Sequence, residues 1–169
     1  RVLLSYQGAI LIQCLRPATV CGYSPRMRLD LSVNMLTIQA LANRRITVFG
    51  GAQIRPNIHI QDMIRTYLHL LKLGDKAPGI FNAGFENISI LDIAKMVTAV
   101  VPAEIVVSES NDPRSYRLNS DKFLATGFRP KYGVKDAIRE IIEAFRSGKL
   151  KNEEICYNIK VMKKLTNLE

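Results

Sequence analysis

The side chain with the clearest chemical potential is Arg55, which follows the glycine pair Gly50 and Gly51 within ITVFGGAQIRPNIHIQD. Glycine lets the backbone approach a ligand closely, and a guanidinium offers a planar fork of donors that matches phosphate oxygens. The stretch therefore predicts an anion site. A tight hairpin that carries an ordinary surface arginine explains the same residues equally well.

Other polar side chains have simpler interpretations. His59 lies in an extended run and is expected to pack or to bond backbone rather than to do chemistry. His69 is expected near the surface of a helix, and Asp62 is expected to favour the positive start of that helix. Tyr116 could stack on a base or form a wall of the fold.

Strands that alternate with helices are expected to position these residues, so α/β is the predicted fold class. Residues 9–15 are apolar and partly β-branched, which predicts a strand buried on both faces that ends at Arg16 and Pro17. Residues 18–25 are predicted to form a loop at the carboxyl end of this strand, where open α/β sheets bind ligands.

The remaining elements follow from apolar periodicity and turn residues. Helices are predicted at residues 28–45, 62–73, 89–101, 121–126 and 134–145, and short strands at 46–49, 57–60, 80–82 and 104–107. Residues 147–169 are predicted to be a frayed, lysine-rich extension. The predicted core stripes of the first three helices are Leu29, Val33, Leu36 and Ala40, then Ile64, Tyr67, Leu68 and Leu71, then Ile90, Ile93, Ala94, Val97 and Val101.

Composition narrows the class of protein. A hydrophobic fraction of 47% and a charged fraction of 23% are those of a globular protein, and no apolar run approaches the roughly 18 residues of a membrane span. We therefore expect no membrane partner. The net charge of +9 makes a polyanion a candidate partner, but the basic residues are scattered, so a solvated basic surface is favoured over nucleic-acid binding.

The three cysteines, Cys14, Cys21 and Cys156, have no paired spacing, which favours reduced thiols and a cytoplasmic location over disulfides or a metal site. The sequence begins with Arg1 rather than Met, so we expect a fragment or a processed piece. The dinucleotide turn G-x-G-x-x-G is absent from the sequence.

Six motifs in order carry a family resemblance. They are LRPATVCG, SPRMRLD, ITVFGGAQIRPNIHIQD, FNAG, DPRSYRLNSDK and GFRP. Their order and spacing resemble the carboxyl-terminal half of extended short-chain dehydrogenases/reductases of the nucleotide-sugar epimerase/dehydratase family. The resemblance implies the carboxyl-terminal part of an extended Rossmann-type protein, whose short strands and helices form a substrate-binding lobe.

The resemblance also implies a two-part enzyme that uses NAD or NADP. In that family a Tyr-x-x-x-Lys pair does the acid/base chemistry while hydride passes to the nicotinamide. No tyrosine of this sequence is followed by lysine at that spacing, so the resemblance places the catalytic pair upstream of residue 1 and assigns no catalytic residue within the chain.

Several positions acquire roles by the resemblance alone. Pro17, Ala18 and Thr19 are implied to line the nicotinamide side of the cleft, although the family often has Asn at position 19 and Tyr at position 21. Arg55 is implied to bind the substrate diphosphate, with Pro56 where an aspartate is frequent. The other implied substrate contacts are Asn34, Phe49, Gly50, Asn82 (equally a structural hydrogen-bonder) and Arg114.

The expected organisation is residues 1–25 as the last part of a Rossmann domain, 26–146 as the substrate-binding region and 147–169 as a basic tail. The expected partners are a nucleoside diphosphate sugar, the missing amino-terminal Rossmann part and, as an alternative, a second copy of the chain. The rival functions are a non-catalytic binding or scaffold module of the same superfamily and a basic nucleic-acid-binding protein.

Overall fold

The computed structural model describes residues 2–110 and 114–166, a mixed α/β arrangement with a short 3-10 turn at Leu3–Tyr6. The strands are β1 Gln13–Pro17, β2 Thr19–Cys21, β3 Arg45–Phe49, β4 Ile54–His59, β5 Gly79–Ala83, β6 Glu86–Ser89 and β7 Glu104–Ser108. The helices are α1 Ser32–Asn43, α2 Ile60–Leu73, α3 Ile90–Thr98, α4 Asp121–Leu124, α5 Val134–Arg146 and α6 Asn158–Thr166.

Within these described residues the strands form three small sheets. Strand β1 pairs in parallel with β5, and β3 pairs in parallel with β7. The third sheet has the order β2-β4-β6, with β2 parallel and β6 antiparallel to the central strand. Because parallel strands end at the same edge, the pairs β1–β5 and β3–β7 each bring two loops together at their carboxyl ends.

The main core lies between α1, α3 and α5 and the strand β3. Its buried side chains come from the predicted stripes of the first and third long helices and from α5, whose span agrees closely with the predicted one. The stripes include Val33, Leu36, Ala40, Ile93, Ala94, Val97, Ala137 and Ile138. Apolar periodicity is therefore a sound guide to this layer.

Two predictions about the first strands are wrong. Residues 9–11 are exposed and lie outside any strand, while β1 begins at Gln13 and continues through Pro17. Residues 19–21, predicted as loop, form β2 because Thr19–Cys21 pairs with β4. Pro17 has no backbone N–H, and it stands at the last position of β1, where none is needed. The next hydrogen bond to the β5 side is donated by the Ala18 N–H to Ala83 O at 2.7 Å.

The predicted core face of α2 is also wrong. Ile64, Tyr67, Leu68 and Leu71 are between 47% and 74% exposed. The helix instead buries Asp62, Met63, Thr66 and Leu70. The buried side includes the polar residues Asp62 and Thr66, so apolar periodicity indicates the wrong side of the helix. The hydrogen bonds of Asp62 determine which side of α2 packs against the rest of the protein.

The Asp62 carboxylate is fully buried and joins α2 to the loop before α5. Its Oδ2 accepts hydrogen bonds from the backbone N–H of Lys131 at 2.8 Å and of Tyr132 at 3.0 Å. Its Oδ1 is paired with Arg65, whose guanidinium also donates to Arg129 O. Asp62 thus does more than favour a helix start: it ties residues 129–132 to the first turn of α2.

Residues after 147 are more ordered than predicted. Leu150 is buried, a 3-10 turn forms at Glu154–Cys156, and α6 follows. Residues 167–169 and residue 1, about which predictions were also made, lie outside the described residues. Along the described chain, no helix has the length and apolar character needed to cross a bilayer.

We predict that Asp62→Ala destabilises the protein far more than Asp92→Ala. Both aspartates are the third residue of a helix, but Asp92 is mostly exposed and pairs with the Ser89 cap. Loss of Asp62 leaves two backbone donors and Arg65 without their acceptor, which costs about 2–4 kcal/mol, against about 0.5–1 kcal/mol for Asp92. Thermal unfolding should show decreases in Tm of about 5–15 °C and about 1–4 °C respectively. Equal decreases would contradict the anchoring role.

Candidate functional site

Arg55 in β4 lies against the polar loop that carries Arg114, although 59 residues separate them. Its Nη1 donates to Ile54 O at 3.1 Å and to Arg114 O. The guanidinium carbon is 5.4 Å from the centroid of the Tyr116 ring, a cation–π arrangement. Carbonyl oxygens and an aromatic ring thus orient Arg55, beside the Pro56 that stands where the family often has a carboxylate.

Further hydrogen bonds hold residues 114–116 along the start of β4. The Ile54 N–H donates to Ser115 Oγ at 3.1 Å, and the Tyr116 N–H donates to Ile54 O at 3.3 Å. Arg114, Tyr116 and Arg117 are exposed, so the loop beside Arg55 carries two further arginines and an aromatic ring in an open position. Asp112 and Pro113 of the DPRSYR motif lie outside the described residues.

Phe49 and Gly50 lie at the edge from which this loop departs. Phe49 is the last residue of β3 and pairs with Ser108, the last residue of β7. The Gly50 N–H donates to Ser108 O at 2.8 Å, and Gly50 has φ +78°, a conformation that favours glycine. The Phe49 side chain is exposed, with the Gln53 amide donating to its carbonyl at 3.0 Å.

Pro17, Ala18 and Thr19 connect the β1–β5 sheet to the sheet that contains Arg55. Thr19 pairs with Asn57, two residues beyond Arg55 on the neighbouring strand. The turn after β5 packs tightly on this segment, because a Cβ added at Gly84 would lie 2.5 Å from the Ala18 Cβ. Only glycine permits that approach, so Gly84 holds the segment close to β5.

Asn34 and Asn82 make backbone hydrogen bonds within the fold. The buried Asn34 accepts from Gly22 N–H at 3.3 Å through Oδ1 and donates to Arg28 O at 2.9 Å through Nδ2. The Asn82 Nδ2 donates to Asn119 O at 3.1 Å. Both amides therefore fix loops next to the site, and for Asn34 both polar atoms have a partner inside the protein.

His59 ends β4 in a buried position, with a backbone bond as predicted. Its Nδ1 accepts from Gln61 N–H at 3.1 Å, and its ring stacks on Tyr132 with centroids 5.2 Å apart. Its Nε2 lies 3.2 Å from Glu140 Oε2, with angles that are not those of a hydrogen bond. No sequence pattern pointed to Glu140, which lies on α5 and reaches β4 only through the fold.

His69 lies on α2, half-buried rather than at the surface. Its Nε2 is 2.8 Å from Thr126 Oγ1, and its ring meets Phe123 and Phe128 edge-on. This packing accounts for His69 without a chemical role.

Cys21 is a buried thiol that lies opposite His59 in the pairing of β2 with β4. Burial, together with the negative charges of Glu86 and Glu140, raises its pKa to about 12. A thiol with so high a pKa stays protonated and is a poor nucleophile. Cys14, Cys21 and Cys156 are all free cysteines.

Ser115 and Glu140 are the site residues that sequence reasoning missed. Ser115 is separated from Ile54 by 61 residues and sits in a polar loop without periodicity. The polar run from Arg114 to Arg117 indicated Arg114 and Tyr116, but no feature of it singled out Ser115.

Comparison with known proteins shows which family this chain resembles. Residues 3–84 match the NAD dependent epimerase/dehydratase family. A dTDP-4-dehydro-6-deoxy-D-allose reductase from Streptomyces bikiniensis is 42% identical over 81 residues, which are 47% of this chain and 24% of that protein. A UDP-glucose 4-epimerase from Halalkalibacterium halodurans is 29% identical over 144 residues, covering 70% of this chain and 42% of that protein.

Solved structures extend the similarity over most of the fold. UDP-glucuronic acid 4-epimerase from Bacillus cereus, in complex with UDP-glucuronic acid and NAD, superposes with a TM-score of 0.70 and 26% identity over 86% of this chain and 48% of that one. ADP-L-glycero-D-manno-heptose-6-epimerase from Helicobacter pylori shares the fold with a TM-score of 0.73, at 19% identity over 86% of this chain and 48% of that chain.

The chain spans less than half of each of these four proteins. Its strands and helices match the Rossmann-type fold of extended short-chain dehydrogenases/reductases over 86% of its length. The sequence match over residues 3–84, the relatives and the shared fold agree, and the chain is similar to proteins of the NAD-dependent epimerase/dehydratase family.

Proposed function

We propose that this chain is the substrate-binding half of an NAD(P)-dependent nucleotide-sugar epimerase or dehydratase, in which Arg55 and Arg114 bind the diphosphate. The observation that carries the proposal is the hydrogen bond from the Arg55 guanidinium to the Arg114 backbone carbonyl, which brings together two arginine positions from distant parts of the sequence. A diphosphate carries negative charge on two adjacent groups, which matches two neighbouring cations.

The geometry supports a positioning role. The Nη1 bonds to Ile54 O and Arg114 O hold the loop against β4, so the Arg55 cation and the backbone that carries Arg114 are in place before a ligand arrives. Preorganised charge lowers the cost of binding, because less side-chain and loop freedom is lost. Exposed Tyr116 and Phe49 add aromatic surface beside these cations, suited to the base or the sugar ring.

The names of the relatives support a nucleotide sugar as the ligand. The matching proteins act on dTDP- and UDP-linked sugars, and the Bacillus cereus structure contains UDP-glucuronic acid and NAD. The base, the sugar and the carbon at which the reaction occurs are left open in the proposal.

The cofactor would meet this chain at Pro17, Ala18 and Thr19. These residues form a firm, largely apolar wall, because Gly84 and the Ala18–Ala83 hydrogen bond hold them against β5. Such a wall fits one side of a nicotinamide ring, and bound NAD(P) would supply the hydride acceptor. The chain has no G-x-G-x-x-G turn, so its residues do not fit the pyrophosphate, which we assign to a separate Rossmann part.

Two surfaces are suited to that Rossmann part. Among the described residues, β1 pairs only with β5, which leaves its other edge available for a further strand. The exposed stripe of α2, formed by Ile64, Tyr67, Leu68 and Leu71, offers apolar area of the kind that a domain interface covers. The proposed boundaries remain residues 1–25 for the end of the Rossmann domain and 26–146 for the substrate region.

A second copy of the chain is the competing occupant of the α2 stripe. Light scattering distinguishes the two, since a dimer that dissociates in Leu71→Asp would assign the stripe to self-association. We assign the protein to the cytoplasm, where its three free cysteines stay reduced.

We predict that nucleoside diphosphate sugars stabilise this chain against heat and that Arg55→Ala removes most of the effect. A ligand at about 100 times its Kd adds about 2.7 kcal/mol, which raises Tm by about 5–10 °C for a chain of this size. Loss of charge-assisted bonds from Arg55 should weaken Kd by about 10-fold to 100-fold. Thermal unfolding with UDP-, dTDP- and ADP-linked sugars measures each variant against its own ligand-free Tm.

Arg139→Ala is the matched control, because Arg139 is an exposed arginine on α5 with a carboxylate neighbour at helical spacing. It should keep the full stabilisation. If no nucleotide sugar stabilises the wild type, or if the two variants respond alike, the diphosphate site is refuted.

We further predict that the 169-residue chain does not turn over by itself. Neither the Tyr-x-x-x-Lys pair nor the dinucleotide turn is present in its sequence. Incubation with NAD or NADP and the sugar that stabilises it best should give no epimer or dehydrated product by chromatography. Product formation would contradict the proposal that catalysis needs a separate Rossmann part. Ligand binding without turnover would agree with that proposal.

A further inference from the structure

The segment after α5 folds back onto the body of the protein and presents α6 in a fixed position. The Leu29 N–H donates to Cys156 O at 2.8 Å, and the Asn158 N–H donates to Asp30 Oδ2 at 3.1 Å. Burial opposes the negative charge of Asp30, but the hydrogen bonds and charge of Arg28 outweigh it and lower the pKa of this carboxyl. The anchor of α6 therefore stays ionised at neutral pH.

Helix α6 is amphipathic, yet its apolar side faces solvent. Ile159, Met162 and Leu165, together with Ile155 just before the helix, are between 57% and 65% exposed. At about 100° per residue, Ile159, Met162 and Leu165 occupy one side of the helix and Lys160, Lys163 and Lys164 the other. The sequence of α6, NIKVMKKLT, contains no acidic residue, and of its three lysines Lys164 pairs with Glu154 before the helix at 2.7 Å.

We propose that α6 binds the surface of an anionic membrane. Its apolar side chains would enter the boundary between headgroups and acyl chains, and its lysines would lie near lipid phosphates. An exposed apolar face combined with lysines and no carboxylate is the pattern of helices that lie in the plane of a bilayer interface. The cytoplasmic leaflet is negatively charged, which agrees with the cytoplasmic location proposed above.

Charge argues against the other occupants. A second copy of this chain carries the same net charge of +9 and the same lysines, so two α6 helices would repel each other. Nucleic acid attracts lysines but gains nothing from a strip of isoleucine, methionine and leucine. The expectation of no membrane partner considered only spanning segments, whereas binding at the interface needs no span.

This inference is independent of the diphosphate site. Helix α6 lies outside the residues that match the family, 3–84, and has no contact with Arg55 or the loop that carries Arg114 among the interactions described.

The test is cosedimentation of the 169-residue chain with vesicles. Vesicles in which half of the lipid is phosphatidylglycerol should bind the wild type, and vesicles of phosphatidylcholine alone should bind it at least tenfold more weakly. The triple variant K160Q/K163Q/K164Q should lose about fivefold in partition coefficient per lysine, or about a hundredfold in total. Raising the ionic strength to about 1 M, where the screening length is about 3 Å, should have a similar effect.

Two further variants separate the proposal from general charge attraction. K95Q/K131Q/K135Q removes the same charge from other exposed positions and should bind nearly as well as the wild type. I159S/M162S changes two exposed residues, keeps the fold by circular dichroism, and should bind at least tenfold more weakly because the apolar insertion is lost.

Any of three results overturns the proposal. Equal binding to both vesicle types would exclude an anionic surface. Unchanged binding of I159S/M162S would reduce the contact to a general polyanion effect. A dimer in solution that dissociates in I159S/M162S would show that a second copy of the chain covers the apolar side of α6.

Discussion

The arrangement depends most on the buried carboxylate of Asp62. A buried charge is costly unless it is paired and hydrogen-bonded, and Asp62 has Arg65 and two backbone N–H groups as partners. Its partners lie on α2 and on the loop before α5, so one side chain fixes the rotation of α2 and the path of residues 129–132. That path places Tyr132 against His59, the last residue of β4. The strand that carries Arg55 is thereby fixed at its far end.

Predictability from sequence differed sharply between helices. Helices α3 and α5 each have one clearly apolar side, which is buried, and the predicted stripe of α1 is buried although that helix has apolar residues on several sides. The apolar side of α2 is exposed instead, because Asp62 on its other side bonds to residues 69 and 70 positions further along the chain. No local pattern contains that information, which explains why the stripe Ile64, Tyr67, Leu68 and Leu71 was assigned to the core and lies outside it.

The candidate site shows the same limit. Arg55 and Arg114 could be selected from residue type and family resemblance, but their contact depends on the pairing of Ile54 with Ser115 and Tyr116. Likewise Gly84 could be recognised as a turn residue, whereas its close approach to Ala18 depends on parallel pairing of β1 with β5. The chemical character of these residues can be predicted from the sequence. Their positions next to one another depend on contacts between distant segments, which the sequence pattern does not contain.

The Nη1 group of Arg55 already serves two carbonyl oxygens, those of Ile54 and Arg114. A phosphate oxygen that approaches this nitrogen meets an occupied donor and has to displace a carbonyl or share the hydrogen with it. Entry of the proposed ligand would then exchange one acceptor of Nη1 for another, while the hydrogen bonds between Ile54 and residues 115 and 116 keep the loop against β4. The arginine would change its partner without any movement of the loop.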